Sequence, residues 1–178
     1  EIVSRDWSSD VCSSDLVTIH GPNDRYINDG RVIQTVAQMW SRIGIEAKVE
    51  ALPWATYAAK ASNQEYSIFL VGWGSGTGET SSTLRSLLAT FNKDTGMGQA
   101  NRGRYSNPEL DKTLAEALRT VDDKKRGDLL ARASEIGVRD VGIIPLHYEV
   151  STWALKKGLA YTARADQQTM ATEVVTAK

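Results

Sequence analysis

Residues with the means to do chemistry gather in one stretch, Tyr66-Ser67-Ile68-Phe69-Leu70-Val71-Gly72-Trp73-Gly74-Ser75-Gly76-Thr77-Gly78-Glu79. Its second half alternates glycine with a side chain of distinct use. Glycines at 72, 74, 76 and 78 let the backbone come close to a ligand and reach positive φ. Trp73 offers a flat apolar face with one N–H donor, Ser75 and Thr77 offer hydroxyls, and Glu79 a carboxylate. Such a set suits recognition of a small molecule at the end of a strand. It equally suits an ordinary surface turn with Trp73 in the core.

Catalytic templates fit poorly. Counting from Gly72 or Gly74 leaves Thr77 or Glu79 where the third glycine of G-x-G-x-x-G belongs, and no Lys follows to make a phosphate loop. Trp73 stands two residues before Ser75, where a nucleophile elbow needs Gly. A hydrolase using Ser75 with His147 and Asp140 stays open as an alternative, although no spacing supports it. His20 and His147 are the only histidines and lie far apart, so no metal site and no cofactor are expected. Arg85 is a better candidate than Arg31 for pairing a ligand carboxylate, since its guanidinium follows the glycine-rich rim. A surface ion pair with Glu79 is its plain alternative. Asn101, Arg104 and Tyr105 occupy a polar loop able to close over a ligand, Tyr105 as an apolar wall, and His147 could face the same cleft.

Residues 1–16 read unlike the rest. They repeat Ser-Ser-Asp and lack both the basic and the apolar regions of a signal peptide, so we expect non-native, adapter-derived, disordered sequence. Of the 21 basic and 22 acidic residues, setting them aside removes Arg5 and Glu1, Asp6, Asp10 and Asp15; 20 basic and 18 acidic remain, a net charge of +2. Near neutrality argues against nucleic acid or a polybasic membrane surface. Cys12, the only cysteine, goes too, which leaves no disulfide and suits an oxidising compartment.

Certain elements must hold these groups. Val17–His20 reads as a strand and Gly21–Asp24 as a turn. Asn28 or Asp29 caps a helix with Val32, Ile33, Val36, Ala37, Met39, Trp40 and Ile43 on one face, stopped by Gly44. Ile45–Leu52 alternates as a second strand, giving a parallel βαβ unit. Pro53 opens a helix through Tyr57 and Ala61, and Tyr66–Trp73 follows as a buried strand in an α/β sheet whose carboxyl ends share one edge. Ser81 or Ser82 caps a helix through Leu84, Leu87 and Leu88. Residues 91–104 form a loop. Asn107-Pro108 starts a helix with Leu110, Leu114, Ala117, Leu118 and Val121 on its stripe, and Asp122-Asp123 caps another with Leu129, Leu130, Ala133, Ile136 and Val138. Ile143–Tyr148 and Thr152–Leu155 read as strands, with Pro145 placing the first at an edge.

Several of these pieces in this order carry a resemblance. Tyr26, Asn28-Asp29, Arg42-Ile43-Gly44-Ile45, Pro53-Trp54 with Tyr57, Gly72-Trp73, Arg104-Tyr105-Ser106-Asn107-Pro108-Glu109-Leu110-Asp111 and Ile144-Pro145-Leu146 together resemble the C-terminal lobe of the extracytoplasmic solute-binding proteins of peptide-type ABC transporters. The resemblance covers residues 17–178. It implies an α/β, type II periplasmic-binding-protein-like lobe, incomplete, with a mixed β-sheet flanked by helices, in a two-lobed protein that closes on its solute. No catalysis is implied. The expected partners are a small peptide or peptide-like solute, permease subunits and the missing N-terminal lobe, in a protein that is monomeric when intact. The expected location is the periplasm, or the outer surface as a Gram-positive lipoprotein, with the signal peptide lying upstream.

In the dipeptide and oligopeptide binders, an Asp three residues after the strand-end Trp neutralises the peptide ammonium. Gly76 stands there in this chain. An ammonium buried without a counter-charge is costly, so Glu79 would have to serve or the ligand differs. Val71–Glu79 followed by Leu84-Arg85 and Leu87-Leu88 is similar to the glutathione-binding branch, which implies a glutathione-like or other small peptide; a sugar or metal chelate remains an alternative.

Overall fold

The computed structural model describes residues 16–164, 166 and 168–177. The segment set aside above, with Cys12, lies outside them except for Leu16. The chain divides into two compact units, the first ending its main run at Trp73 and adding Ala100–Tyr105, the second comprising Gly74–Gln99 and the chain from Ser106 on.

In the first unit β1 (Val17–Pro22) leads through α1 (Asp29–Ser41) to β2 (Ala47–Leu52), and α2 (Trp54–Ser62) leads to β3 (Ile68–Phe69). The three strands form a parallel sheet in the order β2-β1-β3, with Ile19 opposite Val49 and Ile68. Alternation along β1 sends successive side chains to opposite faces. Ile19 packs with Ile33 and Ala37 of α1, and the buried Tyr57, Ala61 and Tyr66 form a separate cluster with Leu52 and Phe69. Burying a side chain such as Ile33 stabilises the fold by about 1.5–3 kcal/mol. α1 lies close against β1 at Gly21, where a Cβ would stand 3.0 Å from Ile33.

The second unit holds α3 (Ser81–Thr83), which continues into a π-helical turn over Leu84–Leu88, then α4 (Pro108–Arg119), α5 (Asp123–Arg139) and an antiparallel pair of β4 (Leu159–Tyr161) and β5 (Val174–Thr176). Helices α4 and α5, joined by a three-residue link, make a helical hairpin. Asn107 caps α4 by accepting from the N–H groups of Glu109 and Leu110, and Asp122 caps α5 by accepting from Lys125. Leu110, Leu114 and Ala117 are buried, as are Leu130 and Ala133. Gly137 lets α5 approach the π-turn, since a Cβ there would lie 2.8 Å from Leu88.

Several expectations need correction. The Tyr66–Trp73 run pairs with β1 over two residues only, Ile68 and Phe69, at the edge of the sheet, with the Leu70 N–H donating to the His20 carbonyl at 2.8 Å before the chain leaves the sheet. β1 instead extends through Pro22, into the expected turn. Ile45 precedes β2, and Met39, Ile43, Leu118, Val121 and Val138 are exposed although they extend the apolar stripes; Val121 lies beyond the end of α4 and is 92% exposed. Neither Asn28 nor a serine at 81 or 82 supplies a side-chain cap, for Asn28 takes a left-handed conformation and Thr80 is the residue before α3. Ile143–Tyr148 and Thr152–Leu155 form no strand. A strand needs a neighbour to satisfy its backbone, and no described residue supplies one, so Ile144, Leu146 and Tyr148 are exposed. Among the described residues no helix is long and apolar enough to cross a membrane.

Candidate functional site

The twelve candidate residues fall in both units. Gly72, Trp73, Asn101, Arg104 and Tyr105 belong to the first; Gly74, Ser75, Gly76, Thr77, Glu79, Arg85 and His147 belong to the second.

In the first unit, the chain leaving β3 is fixed before it reaches Trp73. Tyr57, its hydroxyl raised in pKa by burial, donates to the Leu70 carbonyl at 2.5 Å, and Tyr26 donates to the Gly72 carbonyl at 3.3 Å. Glycine is required at 72 for space: a Cβ would stand 2.7 Å from the Tyr26 ring. Trp73 follows with 46% of its surface exposed, a large apolar face open to solvent. Asn101, buried, holds the 101–105 loop closed through both backbone groups of Tyr105, at 2.7 and 3.0 Å. Arg104, at φ +56°, donates to the Gln64 carbonyl. These two side chains therefore shape the loop.

A cluster not named as a site from the sequence lies at the carboxyl ends of the strands. Asp29, buried at the start of α1, accepts from the N–H groups of Arg25 (2.9 Å), Tyr26 (3.0 Å) and Gly30 (2.8 Å). Burial alone would raise its pKa, but the three backbone donors outweigh that and lower it. Asp24 accepts from the Trp54 N–H at 2.7 Å, and the Tyr26 and Trp54 rings meet edge on at 6.1 Å. The Arg25 guanidinium lies over both rings, 5.4 and 5.3 Å from their centres. The available signal is positional: Asp24, Arg25 and Tyr26 follow the end of β1, Trp54 follows the end of β2, and Asp29 opens α1.

In the second unit, of Gly74, Gly76 and Gly78 only Gly78 takes positive φ, at 70°. Gly76 is open, with no atom within 4 Å of where a Cβ would stand. The loop holds itself together: Ser75 Oγ donates to the Glu79 carbonyl at 2.9 Å and meets the Thr77 and Ser82 hydroxyls, while Thr77 Oγ1 accepts from the Glu79 N–H. Glu79 does not pair with Arg85. Its carboxylate receives Arg126 Nε at 2.6 Å, a bond that holds it below the usual carboxylate range, and Arg126 also donates to the Ala117 carbonyl. Arg85 donates to the Thr95 carbonyl at 3.2 Å, and His147 is exposed. The partners of Ser75 include no imidazole, and Asp140 accepts from Asn107, so the hydrolase alternative has no support. His20 pairs with Glu50 at 3.3 Å and stacks on Tyr66; among the described residues no three His, Cys, Asp or Glu side chains converge on a metal position.

A profile described as "Bacterial extracellular solute-binding proteins, family 5 Middle" matches residues 6–95, beginning inside the segment set aside above. The oligopeptide-binding protein OppA of Bacillus subtilis is 26% identical over 130 residues, 72% of this chain and 23% of OppA. The glutathione-binding protein GsiB of Salmonella paratyphi A is 31% identical over 134 residues, again 72% of this chain and 26% of GsiB. The chain thus spans about a quarter of the length of these relatives. Among solved structures, HbpA2 from Haemophilus parasuis superposes with a TM-score of 0.70 at 20% identity, covering 91% of this chain and 32% of that one. DppA from Helicobacter pylori, in complex with peptide STSA, gives 0.61 at 22%, covering 71% and 24%. Both share the α/β periplasmic-binding-protein fold.

Proposed function

The chain belongs to family 5 of the bacterial extracellular solute-binding proteins, and from that premise we propose that the whole protein is the solute-capturing component of an ABC importer. Its solute is a small peptide or peptide-like molecule, a glutathione-like peptide being the finer reading, delivered to permease subunits outside the cytoplasmic membrane. The observation that carries this is Trp73. A large indole left half open just beyond the edge strand β3, directly after a position where a Cβ would meet the Tyr26 ring, is an apolar wall for a ligand. Relatives named for oligopeptides, for di- and tripeptides and for glutathione support the solute class.

Capture needs no covalent chemistry. A ligand contacted by this lobe and by an N-terminal lobe is buried only when the two close, so affinity reflects contacts that exist in the closed state alone. Gly76 presents no carboxylate and Glu79 is already neutralised by Arg126. Neither position then supplies a counter-charge for a peptide ammonium, which favours a solute whose amine is answered elsewhere. Calorimetric titration of the whole protein with glutathione, Ala-Ala and Ala-Ala-Ala tests the reading. We expect at least one to bind at micromolar concentration or below; saturating binding of a non-peptide solute with none of these peptides binding would refute it.

A further inference from the structure

His20 lies in β1, the central strand of the first unit's sheet, on the face opposite Ile19 and α1. Its ring reaches both neighbouring strands. Nε2 stands 3.3 Å from a Glu50 carboxylate oxygen on β2, and Nδ1 stands 3.4 Å from the Ile68 carbonyl on β3. The ring also stacks on Tyr66, centre to centre at 4.1 Å, and the side chain is 14% exposed.

Both ring nitrogens therefore face acceptors. A neutral imidazole has one N–H, so either tautomer turns a lone pair on one of the two oxygens, whereas an imidazolium donates to both. The groups around it keep this requirement in force. Glu50 is held below the usual carboxylate range by the Lys48 ammonium, 2.7 Å from its other oxygen, with smaller help from His20 and Lys60. Burial raises the Tyr66 pKa, so that ring is a neutral phenol. Lys60 of α2, which acts on Glu50, and Glu65, which acts on Tyr66, stand 4.0 Å apart and offset one another. On the other face of the sheet α1 presents Ile33 and Ala37, which carry no charge. The charge-assisted bond to Glu50 is the stronger of the two. A neutral ring keeps its one N–H there and leaves a lone pair against Ile68. The β3 edge has few other ties: among the described residues Ile68 and Phe69 pair with β1, and the Leu70 N–H donates to the His20 carbonyl.

We propose that His20 is a proton-dependent clasp on this sheet. Charged, it ties β2 and β3 to the strand between them. On losing its proton it lets go of the β3 edge and leaves the Tyr57 and Tyr26 hydroxyls as side-chain ties of the segment that leads to Trp73. The tie is complete at acid pH and is lost as pH rises through the range, about 5 to 8, in which histidine changes charge. It does not depend on the nature of the solute.

Hydrogen exchange of the Leu70 amide in the whole protein, taken as protection relative to the Ile33 amide of α1, tests the clasp from about pH 5.5 to about pH 8. In the natural sequence protection should fall by about threefold or more across that range, the worth of one ordinary hydrogen bond. Glu50→Gln offers Nε2 a donor and so frees the neutral ring's N–H for Ile68; protection in that variant should stay within about twofold. His20→Gln should be equally insensitive to pH, and if it fails to fold, the comparison with Glu50→Gln decides. Protection that is steady with pH in the natural sequence, or that falls by the same factor in either variant, overturns the proposal.

Discussion

Asp29→Asn probes the hub of the first unit. The carboxylate accepts three backbone N–H groups, two on Oδ2 and one on Oδ1, in a residue that is 3% exposed. An asparagine has one acceptor oxygen. Its better pose keeps the bonds from Arg25 and Tyr26 as neutral ones and turns an NH2 group against the Gly30 N–H. One charge-assisted bond is lost, two are weakened, and a buried donor is orphaned, for a cost of about 2–4 kcal/mol. With a urea slope of about 2 kcal/mol per molar, the midpoint falls by about 1–2 M. The pH dependence has a fixed sign. The folded pKa of Asp29 is depressed, so its stabilisation is complete above the unfolded value of about 3.9 and is lost as pH falls through the folded value. Urea unfolding of the chain, followed by far-ultraviolet circular dichroism, should show a constant gap between natural and variant sequence from pH 7 to about 5, closing below about 4. A gap under about 0.5 kcal/mol at neutral pH, or one unchanged down to pH 2, would refute the reasoning.

In the second unit, Glu79→Gln and Arg126→Gln should each speed amide exchange at Gly78 and Glu79, and the double variant should add little to the worse single, because all three remove one interaction; additive effects would separate the loop from α5. The ordering of residues 75–79 should persist to lower pH than an ordinary glutamate would allow, and loosen as pH falls through the depressed Glu79 value, read by the same exchange measurement. Gly76→Asp should fold normally, since nothing stands within 4 Å of the added Cβ, and should shift the whole protein toward peptides with a free α-amine; unchanged preference would mean that position 76 does not meet the ligand.

Local patterns were legible where local forces decide. The 3.6-residue spacing of Ile33 and Ala37, the alternation of Ala47, Val49 and Ala51, and Asn107 before Pro108 each encode an element within a few residues, and β1, α1, β2, α2, α4 and α5 formed accordingly. Strands are different, because their stability lies in a neighbour. Ile143–Tyr148 has the composition of a strand and no described partner, and of Tyr66–Trp73 only Ile68 and Phe69 pair with β1. The candidate site divides the same way. The glycine-rich stretch was visible as composition. That Glu79 answers to Arg126, 47 residues away, and that Arg25 is held by Trp54, are facts of packing that spacing does not contain.

The central claim is that this lobe captures a solute only jointly with another. Calorimetry of one peptide ligand against the whole protein and against the 178-residue chain alone tests it most directly. The account predicts binding to the whole protein at micromolar concentration or below and at least about a hundredfold weaker binding to the chain alone, a difference of about 2.7 kcal/mol in contacts that only closure makes. Equal affinity for the two would contradict it.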